Sequence, residues 1–369
     1  YQGDEEDPHH PHPQHGSHKD LYDLSGRKKY ALLAVGVFAV VILGMCFVTI
    51  GVSDTSVLQV INAVLALTGG EISSSPESAK YKIILFMRLP RITMAVAAGI
   101  GMAVAGTSMQ AITRNPLVSP FTVGVSSAAA FGASMCIVFA ESIFFRSEAG
   151  IVLCAFLSAV ICAAVVYAVS SRAGMSAETV VLSGIALNYF FNALTAMVEF
   201  FAEEHKLAAV VQWTFGTFNG VTWAETAIVC AFVLVCTTVV YYFRHKLNIM
   251  ASGDDETAKS LGVNTSAVRA AVGLAAVLMT ASIISFTGVI GFVGLVAPHI
   301  ARIIVGGDHK FLIPFSAICG ALLLMAADTL GRVILSPVNI PVGIIVSFIG
   351  VPLFIHLILK DGRRERYGA

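Results

Sequence analysis

The sequence has 369 residues, of which 56% are hydrophobic and 12% charged, with a mean hydropathy of +0.81. A soluble domain carries roughly 25% charged residues, so this composition is that of an integral membrane protein. Lysine plus arginine and aspartate plus glutamate each total 23, a balance that makes no case for nucleic-acid binding.

A spanning helix needs about 20 mostly apolar residues. Such runs lie near residues 30–50, 92–111, 118–140, 149–170, 179–200, 224–243, 268–286, 288–305, 311–328 and 342–360. They predict an all-α fold of about ten transmembrane helices. Residues 270–301 contain no Asp, Glu, Lys or Arg, and Gly288 and Gly291 supply the break between the seventh and eighth spans. An even number of spans puts both termini on one side. Arg27, Lys28 and Lys29 precede the first span, while Lys360, Arg363, Arg364 and Arg366 follow the last. The positive-inside rule therefore places both ends in the cytoplasm. On this threading 16 of the 23 Lys and Arg face the cytoplasm and seven face outward.

The domain division follows: a His-rich, disordered cytoplasmic tail over 1–29, a ten-span membrane domain over 30–360, and a cytoplasmic basic tail over 361–369. The tail lacks an apolar core and is not a signal peptide, so span 1 reads as an uncleaved start-transfer helix. Its histidines (His9, His10, His12, His15 and His18) suit a solvated or partly engineered tail, or a metal-sensing one. The seven cysteines all sit in apolar runs without a CxxC pair, and read as packing residues.

Span 2 opens with Arg88 and Arg91 on either side of Pro90, on the outward side where positive charge is disfavoured. Within it, Ala97, Gly101 and Ala105 recur at four-residue spacing beside Gly99 and Ala103, a pattern for close helix packing. Before span 5, Ser176 reads as an N-cap, with Ala177 and then Glu178 in the first turn. That span carries Asn188, Asn192 and Glu199, polar groups that either face a wet passage or bond to neighbouring helices.

The segment "GDDETAKS" (253–260) approaches a phosphate-binding loop. However, Ala258 replaces its second glycine and three acidic residues would repel a phosphate. A capped helix fits better: Ser252 and Asp255 form an S-x-x-D start, Ala258 and Leu261 share a face, and Gly262 stops it. Asn264 or Thr265 then caps span 7. Such a helix in the loop 244–267 either lies on the membrane or is gripped by another protein.

Four stretches together resemble the FecCD-type permease family of ABC importers for iron-siderophores, haem and vitamin B12. They are "RLPRITMAVAAGIGMAVAGTSMQAITRNPLVSPFTVGVSSAAAFGA", "ETAKSLGV", "GVIGFVGLVAPHIAR" and "VNIPVGIIVSFIGVPLFIHLILK". The resemblance implies a type II ABC importer-like bundle that works with a second permease copy, identical or paralogous. Two cytoplasmic ATPase subunits and an extracytoplasmic solute-binding protein complete the assembly. ATP and Mg would be used by the ATPases, and no cofactor or metal is expected on this chain.

The resemblance also implies roles. Asp255, Glu256, Ala258, Lys259, Leu261 and Gly262 match the coupling helix that docks on the ATPase. Asn188, Asn192 and Glu199 would border the pathway between the fifth and tenth spans. Ser176, Ala177 and Glu178 would lie in the cytoplasmic gate region. "TRNPL" (Arg114, Asn115, Pro116) and "APHIAR" (Pro298, His299, Arg302) read as structural turns at the cytoplasmic side, with His299 a hydrogen-bonded helix-end residue. Arg88, Arg91 and Arg332 would form an outward basic patch for the binding protein. The competing reading has these arginines snorkel to head groups, with Arg332 paired to Asp328. Outside this family the main alternative is a self-contained secondary transporter, whose ionisable residues would sit at mid-membrane. A mere membrane anchor fits a specific multi-span pattern poorly. No nucleophile motif suggests catalysis.

Overall fold

The computed structural model describes residues 17–50, 55–69, 78–141 and 143–367. Each apolar run of the sequence has its helix: α1 (Ser17–Thr49), α4 (Leu89–Thr113), α5 (Val125–Phe139), α7 (Glu148–Arg172), α8 (Ala177–Phe201), α10 (Trp223–Tyr242), α13 (Thr265–Thr287), α14 (Val293–Val305), α15 (His309–Val333) and α16 (Val342–Tyr367). Shorter helices join them: α2 (Val57–Gly69), α3 (Ser78–Ile83), α6 (Ile143–Arg146), α9 (Glu204–Thr214), α11 (Arg244–Ser252) and α12 (Asp255–Ser260). Among the described residues seven helices are long and apolar enough to cross a membrane, and Val125–Phe139, Val293–Val305 and Val342–His356 are shorter apolar segments.

Three boundaries differ from the sequence reading. Helix α1 begins at Ser17, inside the predicted disordered tail, and α16 runs on to Tyr367 through the predicted basic tail. Extending an existing helix costs far less than nucleating one, so polar flanks continue it. Span 2 likewise starts earlier, at Ser78, through a π-helical turn over Ile84–Arg88. His9, His10, His12 and His15 lie outside the described residues.

Several starts are set by capping. Ser147 accepts from the Gly150 N–H at 3.2 Å, and Asn264 from Ala267 at 3.0 Å. Thr222 and Glu225 form a reciprocal capping box. Helices α5 and α14 are shorter than a bilayer core requires, and irregular backbone completes their passage: residues 115–124 before α5 and 288–292 before α14. Such backbone is tolerated at membrane depth only when buried and hydrogen-bonded. Bonds at the breaks include Ser119 N–H to Thr122 Oγ1 at 3.1 Å, Gly288 N–H to Ile284 O at 2.8 Å and Val293 N–H to Gly291 O at 2.8 Å.

Helix α4 is the enclosed centre. From Met94 to Thr113 it is buried throughout, apart from half-buried Val96 and Ile100. Helices α10, α13, α14 and α15 surround it. The small residues foreseen along it are used on two sides. A Cβ on Gly101 would meet Ile283 Cδ1 at 2.6 Å and Val233 Cγ2 at 2.8 Å. On the other side, a Cβ on Gly99 would lie 2.3 Å from Gly320 O, and one on Gly106 only 1.9 Å from Gly294 O. Backbone therefore touches backbone at both crossings, which gives the dispersion contact that membrane helices use in place of hydrophobic burial.

Gly106→Ala forces α4 and α14 apart, and overpacking of this kind costs about 1–3 kcal/mol. We expect a lowered unfolding midpoint for the purified variant in detergent. Gly273→Ala, whose new methyl meets only Ile112 Cδ1 at 3.6 Å, should leave the midpoint unchanged or raise it slightly.

Candidate functional site: two charged ends and an exposed helix face

Long-range bonds sort the loops into two ends. At the first, α1, α4, α10 and α15 meet around the arginines of "RLPR". Pro90 has no N–H to return to the carbonyl of residue 86, and the chain widens there, with Leu89 N–H bonded to Ile84 O in π register. The Leu85 carbonyl is taken instead by Trp223 Nε1 at 2.7 Å. Arg88 closes this turn and is buried. Its Nη1 donates to Val48 O at 2.8 Å and Thr49 O at 3.2 Å, and also to Thr55 Oγ1. It thereby satisfies carbonyls at the end of α1 that no helix bond can reach.

Arg91 grips Asp328 on α15 with two nitrogens: Nε at 3.0 Å from both carboxylate oxygens, and Nη2 at 2.8 Å from Oδ1. Its Nη1 donates to Asn219 Oδ1. Arg332 lies on the same carboxylate, 3.4 Å from Oδ2, as the four-residue spacing anticipated. Arg332 also donates to Ile50 O at 2.8 Å and Phe47 O at 3.2 Å. The Asp328 side chain is 1% exposed. The three arginines therefore sit together, each committed to carbonyls or to Asp328, while Lys80 and Lys82 on α3 are exposed nearby.

Along α8, Asn188, Asn192 and Glu199 fall at i, i+4 and i+11, one stripe of the helix. Asn188 and Glu199 are half-buried and Asn192 is exposed. Beside this stripe α8 turns Leu182, Tyr189 and Phe200 outward, and α16 does the same with Phe348, Ile355 and Leu359. Between the end of α9, residues 289–292 and α16 lies an apolar cleft of about 630 Å³, bordered by Phe215, Phe292, Ser347 and Phe348.

At the other end α12 is held by its caps and by two arginines. Its N-cap is Asp254, which accepts from Thr257 N–H at 2.7 Å. Ser252, the predicted cap, instead donates to Ile249 O within α11. A helix not read from the sequence, α11, ends on that serine and uses it up. Gly262, at φ +82°, stops α12 as foreseen. Its N–H bonds to Lys259 O at 2.9 Å, and Val263 N–H bonds to Ala258 O at 3.0 Å, the paired closure of a Schellman motif. Ala258 and Leu261 do not share a face: Ala258 is 0% exposed and Leu261 64%. Glu256 and Lys259 are exposed with Leu261, so α12 presents a mixed polar and apolar edge outward.

Asp255 turns inward. Arg114, left-handed at φ 51° where α4 ends, approaches its Oδ1 at 3.2 Å and donates to Gly253 O at 2.8 Å. Arg269 on α13 donates to Asp255 Oδ1 at 3.1 Å and Oδ2 at 3.3 Å. The same guanidinium reaches Ile112 O at 3.0 Å and Met175 O at 2.7 Å. Burial pulls the Asp255 carboxyl upward, but the Arg269 bond and the Arg269, Arg114 and Lys259 charges hold it below the ordinary carboxylate range. It stays ionised at neutral pH, and its pairing is lost only as pH falls through that depressed value. Next to this junction Ser176 caps α8, accepting from Thr179 N–H at 3.1 Å, with Ala177 buried and Glu178 exposed.

Arg269 escaped the sequence reading, although a lone arginine near the start of an apolar span was its available signal. "TRNPL" is the expected turn, with Asn115 Oδ1 accepting from Leu117 N–H at 2.9 Å. "APHIAR" is not a turn. Pro298, His299 and Arg302 lie inside α14, and the His299 ring packs edge-on against Phe354 of α16, 6.3 Å between centroids. His299 is therefore an interior residue of α14 and not the helix-end group expected. The apolar run 288–305 already placed these residues in a span, and the helix continues through Pro298.

Enclosed α4, the two broken spans and the charged ends define a multi-span α-helical permease bundle. The chain belongs to the FecCD transport family, whose model matches residues 37–360. It is 40% identical to a Methanocaldococcus jannaschii protein named as an ABC transporter permease, over 93% of this chain and 98% of that one. It is 33% identical to the Fe(3+)-citrate import system permease protein YfmD of Bacillus subtilis, over 92% and 98% of the two chains. A solved metal-chelate-type ABC transporter in an inward-facing conformation superposes with a TM-score of 0.78 at 30% identity, covering 89% of this chain and 99% of that one. The protein is a multi-pass transport subunit of the cytoplasmic membrane.

Asp328→Asn leaves two inward-turned guanidiniums facing a neutral amide, and breaking a buried ion pair costs about 3–5 kcal/mol. The variant's unfolding midpoint should fall well below that of His205→Ala, a change at an exposed surface pair. Thermal unfolding of both purified proteins checks it.

Proposed function

We propose that this chain is the membrane permease of an ABC importer for a metal chelate, most specifically a ferric siderophore. The observation that carries the reading is α12: a short helix capped at both ends, pinned inward through Asp255 and Ala258, with Glu256, Lys259 and Leu261 left outward. A rigid helix with one free edge suits docking into a groove of a cytoplasmic ATPase. The basic excess in the loops of that end supports placing it, and both termini, in the cytoplasm.

Two ATPase subunits would bind and hydrolyse ATP with Mg, and their closure would displace α12. The outward apolar faces of α8 and α16 suit a second permease copy, identical or paralogous. The stripe of Asn188, Asn192 and Glu199 would then border the passage at the shared axis, with Ser176, Ala177 and Glu178 at its cytoplasmic mouth. The soluble binding protein would meet the opposite end. There Arg88, Arg91 and Arg332 set the shape of the receiving face, and exposed Lys80 and Lys82 supply charge that steers an acidic partner. The relatives named for ferric citrate and for metal chelates support the substrate class.

A self-contained secondary transporter is less well supported. Such proteins couple to ions through titratable groups at mid-membrane, whereas Asp328, Arg269 and Asp255 sit at helix ends and are paired.

Reconstituted with its ATPase and binding protein, the chain should take up ferric siderophore only with ATP. Uptake by the purified chain alone without ATP would overturn the reading, and preferential uptake of haem or cobalamin would reassign the substrate. Leu261→Asp should abolish co-purification of the ATPase while leaving the unfolding midpoint unchanged, because that side chain is already solvent-facing.

A further inference from the structure

Burying an arginine is costly unless its donors are used, and Arg269 is 2% exposed. Its donors are spent in three directions: on the end of α4 through Ile112 O, on α12 through Asp255, and on the turn before α8 through Met175 O. A planar guanidinium can bond in several in-plane directions at once, which an ammonium cannot. Among the described residues, Arg269 is the side chain that bonds both α12 and the turn leading into α8.

That turn is conformationally set. Gly174 has φ +96°, and Met175, with a full side chain, has φ +52°. A non-glycine residue in this region is held there by its surroundings. Here the holding bonds are Met175 N–H to Ser170 O at 2.6 Å and Arg269 Nη1 to Met175 O. The Met175 side chain is buried as well, but the packing beside it is open on one side. A cavity of about 590 Å³ lies between α7, α13 and the start of α8, bordered by Met175, Val180, Val123, Tyr167 and Leu274. Loose packing on one side gives α8's first turn room to shift. Meanwhile Arg114 ties Asp255 to the end of α4 independently, so α12 stays seated without Arg269.

We propose that Arg269 is a positioning residue that transmits displacement of α12 to the Gly174–Ser176 turn, and so moves the start of α8 as one body with α12. The inference rests on the transport reading above, with α12 as the element the ATPase drives. Arg269 touches neither nucleotide nor substrate.

The test compares Arg269→Gln and Arg269→Lys with the unaltered chain, in proteoliposomes holding ATPase and binding protein. Uptake and ATP hydrolysis are measured together. The unaltered assembly is the control: absence of ATP-driven uptake there refutes the transport reading itself. Given that control, the clasp predicts that the variants assemble and hydrolyse ATP while uptake per ATP falls about tenfold, the scale of an intramolecular coupling. Lysine should not rescue, because its three donors radiate from a single nitrogen and cannot span the positions that Nε, Nη1 and Nη2 of Arg269 reach. An unchanged uptake-to-ATP ratio, or a proportional fall in both rates, overturns the clasp and leaves transport intact.

A second measurement uses the unaltered fold. Spin labels at exposed Glu178 and Ser260 should keep their separation between nucleotide-free and trapped-nucleotide states, while both move relative to a label at Leu117. A change in the Glu178–Ser260 separation overturns the proposal even if both arginine variants fail to fold.

Discussion

How closely other helices can approach α4 governs the rest of this bundle. Lipid tails are as apolar as leucine, so nothing like burial from water draws membrane helices together, and contact depends on dispersion at short range. Gly99 against Gly320 and Gly106 against Gly294 bring backbone onto backbone, at distances no side chain would permit. With α4 enclosed this way, its ends become fixed points. Both charged clusters are built on them: Arg88 and Arg91 where it begins, Ile112 and Arg114 where it ends.

The second constraint is the cost of unsatisfied backbone in a membrane. Two spans are broken, before α5 and before α14, and local bonds such as Ser119 N–H to Thr122 Oγ1 and Val293 N–H to Gly291 O take up freed groups there. Breaking a helix here does more than shorten it. The 288–292 segment, which follows the Thr287 carbonyl bonded by Thr217 N–H and is closely approached by Gly216 and Gly343, shapes one wall of the cleft beside α16. Irregular backbone thus appears where a passage would need concave walls.

Buried charge is used differently at the two ends. Around Asp328, two guanidiniums share one carboxylate and the spare donors close off α1, which makes a static fastening of three helices. Around Asp255, two guanidiniums again share one carboxylate, but one of them also holds a carbonyl in a left-handed turn next to a void. The same chemistry is closely packed at one end and lies beside a cavity at the other, and the proposed linkage rests on that difference.

Much of this was legible in the order of residues. Composition and apolar run length determined a membrane bundle and the place of every span, because the hydrocarbon thickness sets helix length and excludes charge. Gly288, Gly262, Asn264 and Ser176 marked their boundaries through backbone rules that act within a few residues. Long-range partnership was not legible. Arg91 and Asp328 are 237 positions apart, Arg269 and Ile112 are 157, and no local pattern encodes which chain segments meet. The outward arginines could be noticed from the sequence as an anomaly against the inside-positive trend. Only the tertiary structure decided that they turn inward, because burial and pairing depend on what the other helices place beside them.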